Sequence, residues 1–267
     1  MATQLLFYEN AKMVTAKEHG DISVRTGQSY EFTRKVNSVP LTAIEFTAAA
    51  AHYPVVFAGT EDKVMPAVIL GVSENENLFL EEGGGWKKGT YIPAFVRRYP
   101  FVFSTDKDGK NFILNIDESF DGCNREGRGE RLFDSDGAQT VYLQNILRFL
   151  QEYQGQFRRT EAFCERLKNL KLLKPMQAQF NMPDGARRSL SGFQAIDRDA
   201  LKALSDEDLR RMFDTDELEC AYLHLFSMRH FQTMIQRMGD GSAVPADDAT
   251  PDADDASDSA ASEAEEA

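Results

Sequence analysis

Residues 141–195, VYLQNILRFLQEYQGQFRRTEAFCERLKNLKLLKPMQAQFNMPDGARRSLSGFQA, decide the fold class. Apolar residues first recur at spacings of three and four: Leu143, Ile146, Leu147, Leu150, Tyr153 and Phe157. That spacing matches the helical turn and lines one face of a helix. Thr160 then reads as an N-cap, which places Phe163, Leu167 and Leu170 on a second helix that stops before Pro175. Beyond Pro175 the period falls to two. Met176, Ala178, Phe180 and Met182 alternate with Gln177, Gln179 and Asn181, as in a half-buried strand. Pro183-Asp184-Gly185 turns this strand into a partner over 187–195.

Further along the chain, helical signals resume. Asp197 caps a short helix through Leu204, and Ser205 with Asp208 forms a capping-box pattern that has Asp where Glu is usual. Leu218, Ala221, Tyr222, Leu225, Met228, Ile235 and Met238 predict a helix of about five to six turns. The region before residue 141 reads differently. Residues 23–35 alternate loosely, 41–52 suggest a short helix, and 53–58 and 67–72 are Val- and Ile-rich runs expected as buried strands. Residues 101–104 and 112–116 flank Asp106-Lys107-Asp108-Gly109, a hairpin signal because Asp-Gly tolerates positive φ. Residues 117–136 are polar and glycine-bearing and read as a long loop. The expected class is α+β, with a β-rich N-terminal half and a helical C-terminal half containing one further β-hairpin.

The chain has 43 acidic and 30 basic residues over 267 positions, a net charge of −13. Ten of the acids and none of the bases fall in 240–267, where Val244 is the only large aliphatic residue. Such a segment cannot bury enough apolar surface to offset its ordering entropy, so a disordered acidic tail is expected there. Its role is solubilising or interactive. Residues 1–239 are expected to form one domain, in which 33 acids nearly balance 30 bases. No basic face or nucleic-acid motif stands out, so no nucleic-acid partner is expected. The longest stretch free of polar side chains is 64–72, nine residues, against the roughly 20 that a transmembrane helix needs. The first residues show no basic n-region followed by an apolar core, as a secretory signal would. Cys123, Cys164 and Cys220 are widely spaced and read as reduced thiols. A cytoplasmic location is expected.

Motifs for chemistry are sparse. In Gly83-Gly84-Gly85-Trp86-Lys87-Lys88-Gly89-Thr90 no Lys separates the last glycine from Thr90, so the loop cannot work as a phosphate loop and reads as an exposed turn. Asp106, Asp108 and Gly109 match part of a calcium loop, but Asn115 stands where the bidentate acid belongs. Cys220 and His224 could form half of a zinc site, yet no second pair exists. His224 and Ser227 share a helix face without a nucleophile elbow. No catalytic residue, metal or cofactor is assigned. One cluster remains, in which Trp86, Tyr91 and Tyr99 interleave with Arg97 and Arg98. With His224, these residues are the candidates for binding a ligand or partner, because guanidinium groups stack on rings and pair with carboxylates. The structural alternative has Pro93 starting a helical turn, Phe95 and Tyr99 packing inward, and Arg97 or Arg98 pairing with local acids.

Several phrases occur in a characteristic order. They are Tyr53-Pro54-Val55-Val56-Phe57, Pro66-Ala67-Val68-Ile69-Leu70-Gly71, Glu76-Asn77-Leu78-Phe79 and Gly85-Trp86. Tyr91-Ile92-Pro93-Ala94-Phe95-Val96-Arg97-Arg98-Tyr99-Pro100-Phe101 is the most specific block, followed by Arg131-Leu132-Phe133, Leu190 to Phe193 and Ala221-Tyr222-Leu223-His224-Leu225-Phe226-Ser227. Over about residues 4–238 the chain resembles the SapC family of bacterial proteins. That family takes its name from a surface-layer locus, and other members occur near genes for outer-membrane uptake receptors and flavin-dependent halogenases. The resemblance carries no catalytic residues. It implies a soluble accessory protein of surface-layer or envelope export and uptake, whose partner is a protein or peptide of that machinery. The alternative expectation is an enzyme or small-ligand binder acting on a peptide, amino acid or glycan at the aromatic and basic cluster.

Overall fold

Among the described residues, three antiparallel sheets and one long helix organise the fold. The computed structural model describes residues 6–60, 63–106, 111–181 and 185–236, and the backbone at 242–244. In chain order the first elements are β1 (Ala11–Met13), α1 (Ala16–His19), β2 (Ser23–Val24), β3 (Ser38–Pro40), α2 (Phe46–Ala49), β4 (Val55–Gly59) and β5 (Val64–Ile69). Next come α3 (Ala94–Arg97), β6 (Phe101–Thr105), β7 (Phe112–Asp117), β8 (Cys123–Asn124) and β9 (Glu130–Arg131). The remainder is α4 (Val141–Asn169), β10 (Leu173–Asn181), β11 (Arg187–Ile196), α5 (Arg198–Lys202), α6 (Asp206–Asp214), α7 (Glu217–Ser227), α8 (His230–Gln236) and β12 (Ser242–Val244). The fold is α+β, with most strands before α4 and most helical residues from α4 onward.

The largest sheet has the order β12-β10-β11-β4-β5-β3. The hairpin read from 176–195 is therefore not a separate unit, because β11 pairs with β4 and joins it to the N-terminal strands. Smaller sheets are β1-β7-β6 and β8-β2-β9. The β6-β7 hairpin forms as expected, while its turn at 107–110 lies outside the described residues. Most of the expected tail, 240–267, also lies outside them; Ser242–Val244 pair with the end of β10.

The structure corrects four readings. Thr160 does not split the helix: α4 runs unbroken for 29 residues, about 43 Å at 1.5 Å per residue. Its hydroxyl donates to the Gln156 carbonyl (2.7 Å) and accepts from the Ala43 N–H (2.8 Å). A threonine that bonds back one turn is compatible with a helix interior. Residues 23–35 give only the two-residue β2, because Gly27 turns the chain at φ 78° and a 3-10 turn occupies Glu31–Thr33. The loop 117–136 contains β8 and β9, which flank β2. The last helix divides into α7 and α8, which lets His230 donate to the Ala50 carbonyl at 2.9 Å.

Side chains complete the central sheet where β4 and β11 part. The strands pair at Phe193↔Ala58 and Gln194↔Phe57, so continued pairing would set Ile196 opposite Val55. There the His224 imidazole lies between them. Its Nδ1–H donates to the Val55 carbonyl at 2.7 Å, and its Nε2 accepts from the Ile196 N–H at 3.0 Å. The neighbouring Ser227 Oγ accepts from the Val55 N–H at 2.9 Å and donates to the His224 carbonyl at 2.6 Å. One face of α7 thus satisfies three backbone groups that burial would otherwise leave without partners.

Burial pulls the His224 pKa down to about 4, against the opposing bond to Val55. The unfolded chain, with a histidine near pH 6.5, takes up the proton first. The neutral ring's contribution is intact above about pH 6.5 and is lost as pH falls toward 4. Urea unfolding of the wild type is therefore expected to lose roughly 3 kcal/mol more over that interval than His224→Gln, which keeps a donor and an acceptor without titrating. Equal losses in the two proteins would refute the assignment.

Candidate functional site

The aromatic and basic cluster is assembled by two buried anchors. Glu45 is the first. Its carboxylate accepts from the Thr42 N–H (2.9 Å) and hydroxyl (2.7 Å), closing a capping box. Its other oxygen accepts from the Tyr91 hydroxyl (2.9 Å) and from the Ala94 N–H (2.7 Å), the first amide of α3. Tyr53 is the second anchor. Its hydroxyl accepts from Trp86 Nε1 at 3.0 Å and donates to the Tyr91 carbonyl. Trp86 packs inward beside Tyr30 and Phe79, and the glycines before it form the turn expected there. Gly84 is required in that turn, since it has φ 80° and a Cβ there would meet Ser29 Oγ at 2.5 Å.

Pro93 precedes α3, and Phe95 and Tyr99 are buried, as the structural alternative proposed. Both arginines lie against aromatic rings. Arg97 donates to the Ile92 carbonyl (3.0 Å) and the Tyr91 hydroxyl (3.1 Å) and lies over Phe149. Arg98 is only 9% exposed and enters an aromatic box. Its guanidinium carbon is 4.1 Å from the Phe95 centroid, 5.2 Å from that of Tyr153 and 5.8 Å from that of Tyr8. Tyr99 Oη donates to Asp117 at 3.4 Å. Asp117 also accepts from the Glu9, Asn10 and Ser119 amides and the Ser119 hydroxyl. Burial opposes its charge, but these bonds outweigh burial and hold the carboxyl below its ordinary pKa.

Arg98 is the one sequence candidate that borders an apolar cleft of about 380 Å³. The cleft opens at mid-helix on α4, where the large sheet and the β6-β7 hairpin diverge. Met65, Phe95, Phe103, Leu150, Tyr153 and Phe157 are among the residues of its wall, and Lys63 is the other cation among the described residues lining it. Spacing places Tyr153 and Phe157 on one face of α4; their place at the cleft depends on β5 and β6, which line it together with that helix. His224, fully buried with both ring nitrogens bonded to backbone, lies in the sheet and not in a pocket. Trp86 and Tyr91 act as supports.

The other motifs resolve into structure. Burial pushes the Cys123, Cys164 and Cys220 thiols up to about 12, which removes thiolate character. Ser227 and His224 spend their polar atoms on backbone, so they are not an activated pair. Among the described residues no three His, Cys, Asp or Glu side chains converge as a metal site, and no helix is long and apolar enough to cross a membrane.

A second surface feature escaped the sequence reading. Leu209 and Phe213 on α6 and Tyr222 and Phe226 on α7 are 39%, 61%, 49% and 49% exposed. Each pair is spaced i, i+4 and therefore shares a helix face. Phe213 and Tyr222 border one shallow depression with Asp214, Asp216 and Glu219. Tyr222 belongs to the helical pattern read from the sequence, whereas Leu209, Phe213 and Phe226 do not, and spacing alone does not show that this face is exposed.

The SapC family model matches residues 14–234, and the chain belongs to that family. No curated protein and no solved structure matches it.

Glu45 should be a stability determinant for the whole cluster. Glu45→Ala leaves the Ala94 amide and the Tyr91 hydroxyl without their acceptor, at a cost of about 3 kcal/mol or more. Urea unfolding measures that loss. Emission from Trp86, the single tryptophan, should shift to the red as its surroundings loosen. Unchanged stability and emission would show that Glu45 is not the anchor.

Proposed function

We propose that this SapC family chain is a non-enzymatic accessory protein of surface-layer or envelope export and uptake, acting from the cytoplasm through contacts with a protein or peptide. The observation that carries the contact is the uncovered aromatic face of α6 and α7. Large exposed aromatic residues grouped in this way mark interaction surfaces, whereas isolated ones are ordinary. Aromatic residues supply most of the energy at such surfaces. Asp214, Asp216 and Glu219 rim the depression, so the matching partner segment carries apolar anchors beside basic residues. Family membership supplies the envelope context.

The test uses the full chain as bait in lysate of its own host, with captured proteins identified by mass spectrometry. Envelope or export components should be enriched by the wild type and reduced at least tenfold by the double variant Phe213→Glu, Tyr222→Glu. Both substitutions lie at exposed positions, and the melting temperature should be nearly unchanged. Lys87→Glu, remote in sequence from α6 and α7, should capture like the wild type. Enrichment of no such component, or equal enrichment by the double variant, would refute the proposal.

A further inference from the structure

The cleft on α4 is separate from the α6–α7 face, and its chemistry points to a different kind of occupant. Its wall is apolar and aromatic over most of its area, and its polar groups gather at few points. Arg98 contributes a guanidinium stacked on Phe95. Tyr153 contributes a hydroxyl that burial keeps protonated, with its pKa pushed up to about 12 and the Arg98 charge only partly opposing the shift. Lys63 stands at the same cleft and pairs with Glu161 at 3.0 Å. No acidic side chain is among the described residues lining it. The charged side chains among the described residues lining the cleft are cationic, and cations in a low-dielectric wall favour an anion.

We propose that this cleft binds a small amphiphilic carboxylate, with its head on the Arg98 guanidinium and an acyl body among Met65, Leu150 and Phe157. Guanidinium and carboxylate match in shape and can form two parallel hydrogen bonds. The cleft volume lies within the range of small-molecule sites. A peptide fits the wall less well, since its backbone carries a donor and an acceptor at each residue and the apolar wall would leave many of them without partners. Packing over the Phe95 ring and burial restrict the guanidinium before any ligand arrives, which lowers the ordering cost of binding.

Isothermal titration of the full chain with decanoate, below its micelle concentration, tests the site. Decanol offers the same chain without the charge, and a capped apolar decapeptide represents the peptide alternative. Decanoate should bind at least tenfold more tightly than decanol, and the peptide should not compete. Gln154→Trp places a ring at the half-buried cleft residue Gln154 and should weaken decanoate at least tenfold. Arg98→Met should bring decanoate down to the affinity of decanol while leaving decanol unchanged. Because Arg98 is buried, circular dichroism and thermal melting accompany that variant; should it fail to fold, Gln154→Trp and the decanoate-to-decanol ratio decide. No decanoate binding, equal affinities for the two amphiphiles, displacement by the peptide, or binding unaffected by Gln154→Trp would each overturn the proposal.

Discussion

The fold depends on closing the central sheet where β4 and β11 separate. A backbone ladder that ends inside a core leaves amides and carbonyls facing apolar side chains, and each such orphan costs on the order of 1–3 kcal/mol. Here an imidazole and a hydroxyl from α7 satisfy the Val55 carbonyl, the Val55 amide and the Ile196 amide together. The C-terminal helices are thereby bound to the N-terminal strands by directional bonds as well as by packing. The same arrangement explains why His224 is neutral. A protonated ring would have two donors, and one would face the Ile196 N–H.

The other large constraint is the length of α4. Leu143 and Leu150 pack with Phe101, Ile116 and Leu132, whereas Phe163 and Leu167 pack with the central core. One helix thus serves two clusters of side chains and spans the space between them. Where the sheets diverge beneath it, the cleft remains. Glu45 and Tyr53 then set the position of the aromatic block, and the block sets the direction of Arg98. A segment that looks like a binding motif in the sequence is mostly a support for one buried guanidinium.

Local periodicity made much of the fold legible. The paired strands β10-β11 and β6-β7 and the caps at Asp197 and Ser205 follow from local pattern and capping chemistry, while the turn residues 182–184 and 107–110 lie outside the described residues. Thr160 misled because a threonine hydroxyl can cap a new helix or bond back within one, and its contact with Ala43 is 117 residues distant. The short strands β2, β8 and β9 were hidden for a related reason: two-residue strands carry no period, and pairing alone defines them. For the candidate site, the inward turn of Phe95 and Tyr99 was readable from Pro93. The placement of Arg98 among rings, and of His224 in the ladder, depended on long-range geometry that spacing does not encode.

Native-state hydrogen exchange at the Val55 and Ile196 amides tests the central claim most directly. Buried amides bonded to the Ser227 hydroxyl and the His224 ring should exchange only through global unfolding, with the same protection as the mid-strand amides of β4 and β5. Exchange at both sites through a local opening, while those strands stay protected, would show that α7 does not close the sheet.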